Sequence, residues 1–307
     1  MPPRPSDRLN PTPSAPGAAL DSSRASLSAG GSAALRADHL LHQQPVVFRD
    51  PWALALTPEP MRSAVESGAF GRQLDELELR PSQGGMLARA LFCELALDGA
   101  RRREGLAQYA ILAAGLDSFA LRLDPEPGPL SVYEVDHPAS QRAKRERLRE
   151  LGGEPDGVEF AALDFEREEL EAALARSSFD PGRPAFFSWM GVSMYLTREA
   201  FRRTLASVRA CAAPGSRLVF DYPIPQERLA PEFLEVARRK NESLAEMGEP
   251  RISTYEPAEL HAELAGLGFE LVEDVGPEEV DARWFRGRRD GLRSNPESRI
   301  AHFRASG

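Results

Sequence analysis

Cysteine is scarce: only Cys93 and Cys211 occur in 307 residues, far apart and without metal-ligand spacing. A disulfide framework and a thiolate metal site are both excluded, and the two read as reduced, partly buried thiols with no metal expected. No apolar run approaches the ~18 residues a membrane span needs, and no apolar h-region follows the first residues. A cytoplasmic protein without a membrane partner is the expectation. Basic excess is missing too: 38 Lys and Arg face 47 Asp and Glu, a net charge of -9. That balance argues against nucleic acid, which calls for a basic face. It leaves a small acidic substrate open, because a local pocket can be positive on an acidic protein. Histidine is sparse, with His39, His42, His137, His261 and His302 the full set.

What is present is an alternation. Residues 1–20 are rich in Pro, Ser and Ala without hydrophobic period, and are expected to be a disordered tail. Ser26 to Gln44 has near-helical spacing and stops at Pro45; a second helix is expected over Met86–Leu97, after a Pro-Ser-Gln-Gly-Gly turn ending at Gly85. From residue 107 short apolar runs alternate with amphipathic helical ones, the pattern of βαβ units on a parallel sheet. The expected strands are Gln108–Ala114, Leu130–Asp136, Val158–Asp164, Pro184–Met190, Leu218–Tyr222, Phe269–Val275 and Arg299–Arg304. Expected helices include Ala139–Leu151, Glu168–Arg176, Arg198–Ala212 and Pro257–Leu267, with Gly268 marking a helix end. A helical insert, about Pro231–Met247, separates the fifth and sixth strands. The fold class is α/β, a Rossmann-like doubly wound sheet of about seven strands. It divides into a helical cap (21–105), a core (106–223), an insert (224–256) and the rest of the sheet (257–307).

Open α/β sheets bind ligands at the carboxyl ends of their strands. The first strand ends in Ala113-Ala114-Gly115-Leu116-Asp117-Ser118, where Gly115 lets backbone approach a ligand closely. The turn does not match the G-x-G-x-x-G of nicotinamide enzymes, which disfavours a dehydrogenase. The second strand ends in Asp136, 21 positions later; an acid there accepts hydrogen bonds from a cofactor ribose, or caps the helix after His137-Pro138. Asp164-Phe165 ends the third strand, suited to holding a base or to capping. The fourth continues through Met190-Gly191-Val192-Ser193-Met194-Tyr195-Leu196-Thr197, where donor and acceptor would meet; Thr197 reads as a helix N-cap.

In order and spacing these motifs, with Asp50-Pro51-Trp52-Ala53, Gly85-Met86-Leu87-Ala88-Arg89, Pro214-Gly215-Ser216, Phe220-Asp221-Tyr222 and Gly268-Phe269-Glu270, resemble the leucine carboxyl methyltransferase family in its bacterial branch. The resemblance covers about residues 25–304. It implies a class I methyltransferase fold on a single domain, 21–307, using S-adenosyl-L-methionine and releasing S-adenosyl-L-homocysteine. Arg89 matches the family arginine for the cofactor's methionine carboxylate, Gly115 the cofactor-loop glycine within Gly115-Leu116-Asp117-Ser118, and Asp136 the ribose acid. Asp164 and Phe165 match the adenine pair, and Arg36 a basic residue on the helix closing over the cofactor. Met194 and Tyr195 would line the methyl-transfer site.

Two positions depart from the family pattern. Ala113 replaces the first glycine of the turn, and Met190 stands where many relatives carry a glutamate near the cofactor's amino-acid end. Both bear on cofactor binding, and a catalytically silent cofactor-binding protein is one alternative. A carboxylate acceptor is ionised at neutral pH and needs positioning, whereas a hydroxyl needs a general base. No histidine falls on the fourth-strand loop, so O-methylation of a small-molecule carboxylate is favoured, with a hydroxyl or phenol as the alternative. Relatives in the bacterial branch resemble enzymes tailoring secondary metabolites, and the insert would serve as a lid.

Overall fold

The computed structural model describes residues 27–165, 167–246 and 250–307. The expected tail, residues 1–20, and the expected helix end at Met247 lie outside the described residues. Seven strands form one sheet: β1 (Gln108–Leu112), β2 (Ser131–Asp136), β3 (Val158–Ala162), β4 (Phe186–Trp189), β5 (Arg217–Pro223), β6 (Phe269–Val275) and β7 (Ser298–Ala305). Their order is β3-β2-β1-β4-β5-β7-β6. The first five run parallel, and β7 is antiparallel to both β5 and β6. All seven expected strands are present. Reversal of strand order between β1 and β4 opens a crevice over their carboxyl ends.

Around the sheet lie α1 (Leu27–His42), α2 (Ala53–Leu56), α3 (Met61–Glu66), α4 (Ala69–Glu76), α5 (Arg80–Glu104), α6 (Pro138–Glu150), α7 (Leu170–Leu174), α8 (Arg198–Cys211), α9 (Pro231–Glu246), α10 (Pro257–Gly266) and α11 (Pro277–Val280). Alternation along β1 sends Ala110 and Leu112 into one core with Phe201, Leu205 and Leu260 of α8 and α10. Tyr109 and Ile111 point to the other core, with Met86, Leu87 and Phe92 of α5. The central strands are buried on both faces, which is why they read as continuous apolar runs.

One expectation is corrected. The stretch Pro81 to Gly85 is no turn but the opening of α5, which runs 25 residues from Arg80. Proline is tolerated in a first helical turn because its missing N–H has no intrahelical partner there. The glycines serve packing: a Cβ on Gly84 would lie 1.9 Å from the Arg293 carbonyl oxygen, and one on Gly85 would lie 2.6 Å from the Asn295 Cβ. Helix α5 therefore meets the chain preceding β7 backbone to backbone. Elsewhere the expected punctuation holds. The Thr197 hydroxyl accepts from Ala200 N at 3.1 Å and caps α8, and Gly268, at φ +82°, lies between α10 and β6. No described helix is long and apolar enough to cross a membrane.

Candidate active site

At the end of β1 the chain bends through two left-handed residues. Ala113 (φ +53°) and Gly115 (φ +50°) both occupy the left-handed region. Glycine adopts this conformation freely, but an alanine pays roughly 1–2 kcal/mol for it. The departure at position 113 is thus a strained backbone. At Gly115 an added Cβ would come within 3.1 Å of Ala29 Cβ, so α1 lies against this loop.

Asp136, at the end of β2, reaches across to the loop: Oδ2 accepts from Gly115 N at 2.6 Å and Oδ1 from His137 N at 2.7 Å. It does not cap α6. That falls to His137, whose Nδ1 accepts from Ala139 N at 3.2 Å. Burial pushes the Asp136 carboxyl above its ordinary value, against the pull of the two N–H donors. A carboxylate offers about four lone-pair sites, so each oxygen still has room for a hydroxyl donor. Asp164 and Phe165 follow β3. The residue preceding α7 is Glu169, so Asp164 caps no helix; its carboxylate lies 3.5 Å from Arg167 Nε, and Phe165 packs against the core beneath. The Asp117 carboxylate accepts from Phe119 N at 2.7 Å and fixes the turn after the loop.

Arg36 extends from α1, donating through Nε to Asp50 at 2.7 Å and through Nη2 to the Leu116 carbonyl at 2.7 Å. Asp50 also accepts from the Ser118 hydroxyl at 2.6 Å and lies 3.6 Å from Arg122. Burial alone would raise the Asp50 carboxyl, yet Arg36, Arg122 and Ser118 outweigh it and hold it below the usual carboxylate range. The guanidinium of Arg36 thus acts as a strut between α1 and the loop.

Over β4 and β5 a second group forms. Arg89 of α5 donates from Nη1 to Asp221 Oδ2 at 2.8 Å, and the other Asp221 oxygen accepts from Gly191 N at 2.5 Å. A Cβ on Gly191, at φ +75°, would meet the Arg89 guanidinium at 2.5 Å, so the glycine is needed for both its backbone and the space above it. Asp221 is 2% exposed, and its own carbonyl accepts from the Ser193 hydroxyl at 2.8 Å. Met190 packs partly buried at the end of β4. Met194 is buried, and its carbonyl accepts from Ile252 N and Ser253 N at 2.8 and 3.2 Å. Tyr195, half-buried, follows it. The insert thus returns directly onto the β4 loop.

The expected residues lie at or follow the carboxyl ends of β1, β2, β3 and β4, with Arg36 and Arg89 on α1 and α5. Asp136 and Gly115 touch, and Arg36 joins the same loop. Asp50 and Asp221 had no role assigned from the sequence. The available signal was their motif context: Asp50 opens Asp50-Pro51-Trp52-Ala53, and Asp221 is the acid of Phe220-Asp221-Tyr222 on a central strand.

A seven-stranded sheet in the order β3-β2-β1-β4-β5-β7-β6 with an antiparallel seventh strand defines a class: the S-adenosylmethionine-dependent methyltransferase fold. Two solved structures share it. A Thermobifida fusca chain described as a "putative methyltransferase" superposes with a TM-score of 0.57 at 18% identity, covering 95% of this chain and 98% of that one. A duf574 family protein of Streptomyces avermitilis gives 0.55 at 19%, over 89% and 96%. In sequence, the Bacillus subtilis "Putative S-adenosyl-L-methionine-dependent methyltransferase YktD" is 30% identical over 290 residues, 85% of this chain and 91% of that protein. A Mycobacteroides abscessus protein of the same description is 36% identical over 166 residues, 54% of this chain and 51% of that one. The family model for leucine carboxyl methyltransferase matches residues 29–209. The chain belongs to the leucine carboxyl methyltransferase family, and it is an S-adenosylmethionine-dependent methyltransferase.

Proposed function

We propose that the protein transfers the methyl group of S-adenosylmethionine to a carboxylate oxygen of a small-molecule acid. The observation that carries the carboxylate is that each histidine is either paired or buried in the sheet. His39 is buried, with Nε2 accepting from Val47 N at 2.8 Å and Nδ1 paired to Gln43. His42 meets the Val65 carbonyl, His137 caps α6, His261 pairs with Asp274, and His302 is buried within β7. Asp221, which holds the β4 loop through Gly191 N, is committed to that N–H and to Arg89. A hydroxyl acceptor would need a general base; a carboxylate needs orientation and exclusion of water.

In this reading Asp136 accepts from the ribose hydroxyls, while Asp164 and Phe165 hold the adenine. Arg89, oriented by Asp221, pairs with the methionine carboxylate in the bidentate manner guanidinium favours. Arg36 and Asp117 set the loop that carries Gly115, and Met190 lines the amino-acid end. Bound S-adenosylmethionine supplies an electrophilic methyl on a sulfonium. Met194 and Tyr195 wall the acceptor, with the 224–256 insert closing the cleft above it as a lid. Transfer to a carboxylate oxygen would form the O–CH3 bond as the sulfonium's S–CH3 bond breaks, so none of these residues would have a proton to take.

The test is calorimetry with S-adenosylhomocysteine, then methyl transfer with labelled cofactor. Asp136→Ala removes two charge-assisted hydrogen bonds, about 3 kcal/mol together, and is expected to weaken binding ~100-fold. Across matched acids and phenols, label should enter acids and be released as methanol by mild alkali, the behaviour of an ester. Alkali-stable label on phenols would sink the carboxylate.

A further inference from the structure

A buried charge cluster joins the insert to the chain before β7. Lys240 of α9 and Arg251, just beyond the insert's helix, both pair with Glu297, the residue before β7. Arg251 Nη1 donates to Glu297 at 3.1 Å and to Asn241 at 3.2 Å. All three side chains are largely withdrawn from water, at 14%, 10% and 6% exposed for Lys240, Arg251 and Glu297. Two cations here share one carboxylate. Ion pairs removed from water cost desolvation that only close compensation repays, and this group is one negative charge short.

Its position ties it to the cleft. Ile252 and Ser253, directly after Arg251, are hydrogen-bonded to the Met194 carbonyl, and Ile224, at the insert's start, donates to the Glu297 carbonyl at 2.8 Å. Tyr195 and Asp221 are near enough to act electrostatically on the Arg251 guanidinium. Burial, with Arg251 adding to it, pushes the Lys240 ammonium well below its usual range, and burial lowers Arg251 as well. A second anion would relieve both. Among the described residues Arg251 donates through Nη1 alone, so Nε and Nη2 retain donor capacity.

We infer that Lys240 and Arg251 form the acceptor's acid-binding site, in which Glu297 holds the two cations ready and an ionised carboxylate of the acceptor supplies the missing charge. The inference rests on the methyl-transfer reading and adds what holds the acid. One carboxylate oxygen held by a cation leaves the other to act as nucleophile. Selection falls on charge, so a neutral amide or ester of the same shape is refused. Methylation itself removes the charge the site recognises, which favours release of product.

The experiment uses the full chain saturated with S-adenosylhomocysteine. It is titrated with matched pairs: benzoate and benzamide, indole-3-acetate and indole-3-acetamide, octanoate and octanamide. The acids should raise the melting temperature of the complex and the amides should not. Arg251→Gln and Lys240→Met should each weaken acid binding at least tenfold while S-adenosylhomocysteine affinity stays at the wild-type value. Glu297→Gln keeps the shape, removes the internal competitor, and should tighten acid binding; a cluster that merely latches the insert gives no such gain. Equal response to acid and amide, no response to any acid, or acid preference surviving both cation variants would overturn the inference with the cofactor reading intact. Failure of the wild-type protein to bind S-adenosylhomocysteine would remove the methyl-transfer reading, and the inference with it.

Discussion

Over β1 to β3 the strand-end acids hold backbone N–H groups, with Arg36 and Asp50 of the helical cap bracing the β1 loop, whereas over β4 and β5 the contacts are ion pairs between segments far apart in sequence. Asp136 grips Gly115 N and His137 N, and Asp117 grips Phe119 N. Arg89 and Asp221, by contrast, are 132 residues apart, and Arg251 and Glu297 are 46 apart. The first half is set once β1 and β2 have paired and the cap has docked on the β1 loop. The second exists only when α5, the β4 loop, β5, the insert and the approach to β7 have all docked. Backbone-built sites suit a ligand that does not vary, and side-chain sites on an insert suit one that does.

The comparison can be broken most severely at Asp221. Asp221→Ala leaves Arg89 and Gly191 N without their buried partner, and removing one member of such a pair costs about 3 kcal/mol. Thermal denaturation should show that loss together with weakened S-adenosylhomocysteine binding. A variant with wild-type stability would mean the β4–β5 half does not depend on the pair. Ala113→Gly works on the other half in the opposite direction. Relief of left-handed strain, less the flexibility glycine adds to the unfolded chain, should stabilise the protein by about 1 kcal/mol. Denaturant melts would read it, and a loss of stability would show the loop is not strained.

The smallest effect is on pH. The Asp136 carboxyl is raised above 3.8 by burial, and hydroxyl donors favour its ionised form. S-adenosylhomocysteine affinity should therefore be flat near neutrality. It should begin to fall, as pH drops, above the ordinary aspartate range, approaching tenfold per unit once the group is protonated. The sign for the ligand-free protein is opposite: a carboxyl whose folded value is raised destabilises the fold when ionised, so its contribution improves as pH falls through that value. Calorimetry from pH 8 downward checks the first, and Asp136→Asn should remove the dependence.

The same division governs what was legible. Strands β1, β4 and β5 are buried along their whole length and bounded by turn residues, so their runs stood out, and Gly115 and Asp136 followed from position at strand ends. Thr197 and Gly268 acted as local chemistry dictates. The opening of α5 was misread because Pro81, Gly84 and Gly85 are turn formers by local preference, and the reason for the glycines lies over 200 residues away at Arg293 and Asn295. The short helices α2 to α4 carry too few turns to show a period. Asp50, Asp221 and Glu297 are acids whose meaning depends on which arginine or lysine the fold brings to them, and spacing does not encode that.

The placement of β7 bears on how the molecule comes to exist. Ser298–Ala305 is the last strand in sequence yet an interior one in the sheet, seated between β5 and β6. As the chain leaves the ribosome amino end first, the β1–β5 block can assemble while β6 waits without a ladder partner. The sheet closes only when these eight residues are free, and the same event delivers Glu297 to the insert. Loss of these eight residues would therefore remove an interior strand and leave β5 and β6 without the ladder between them.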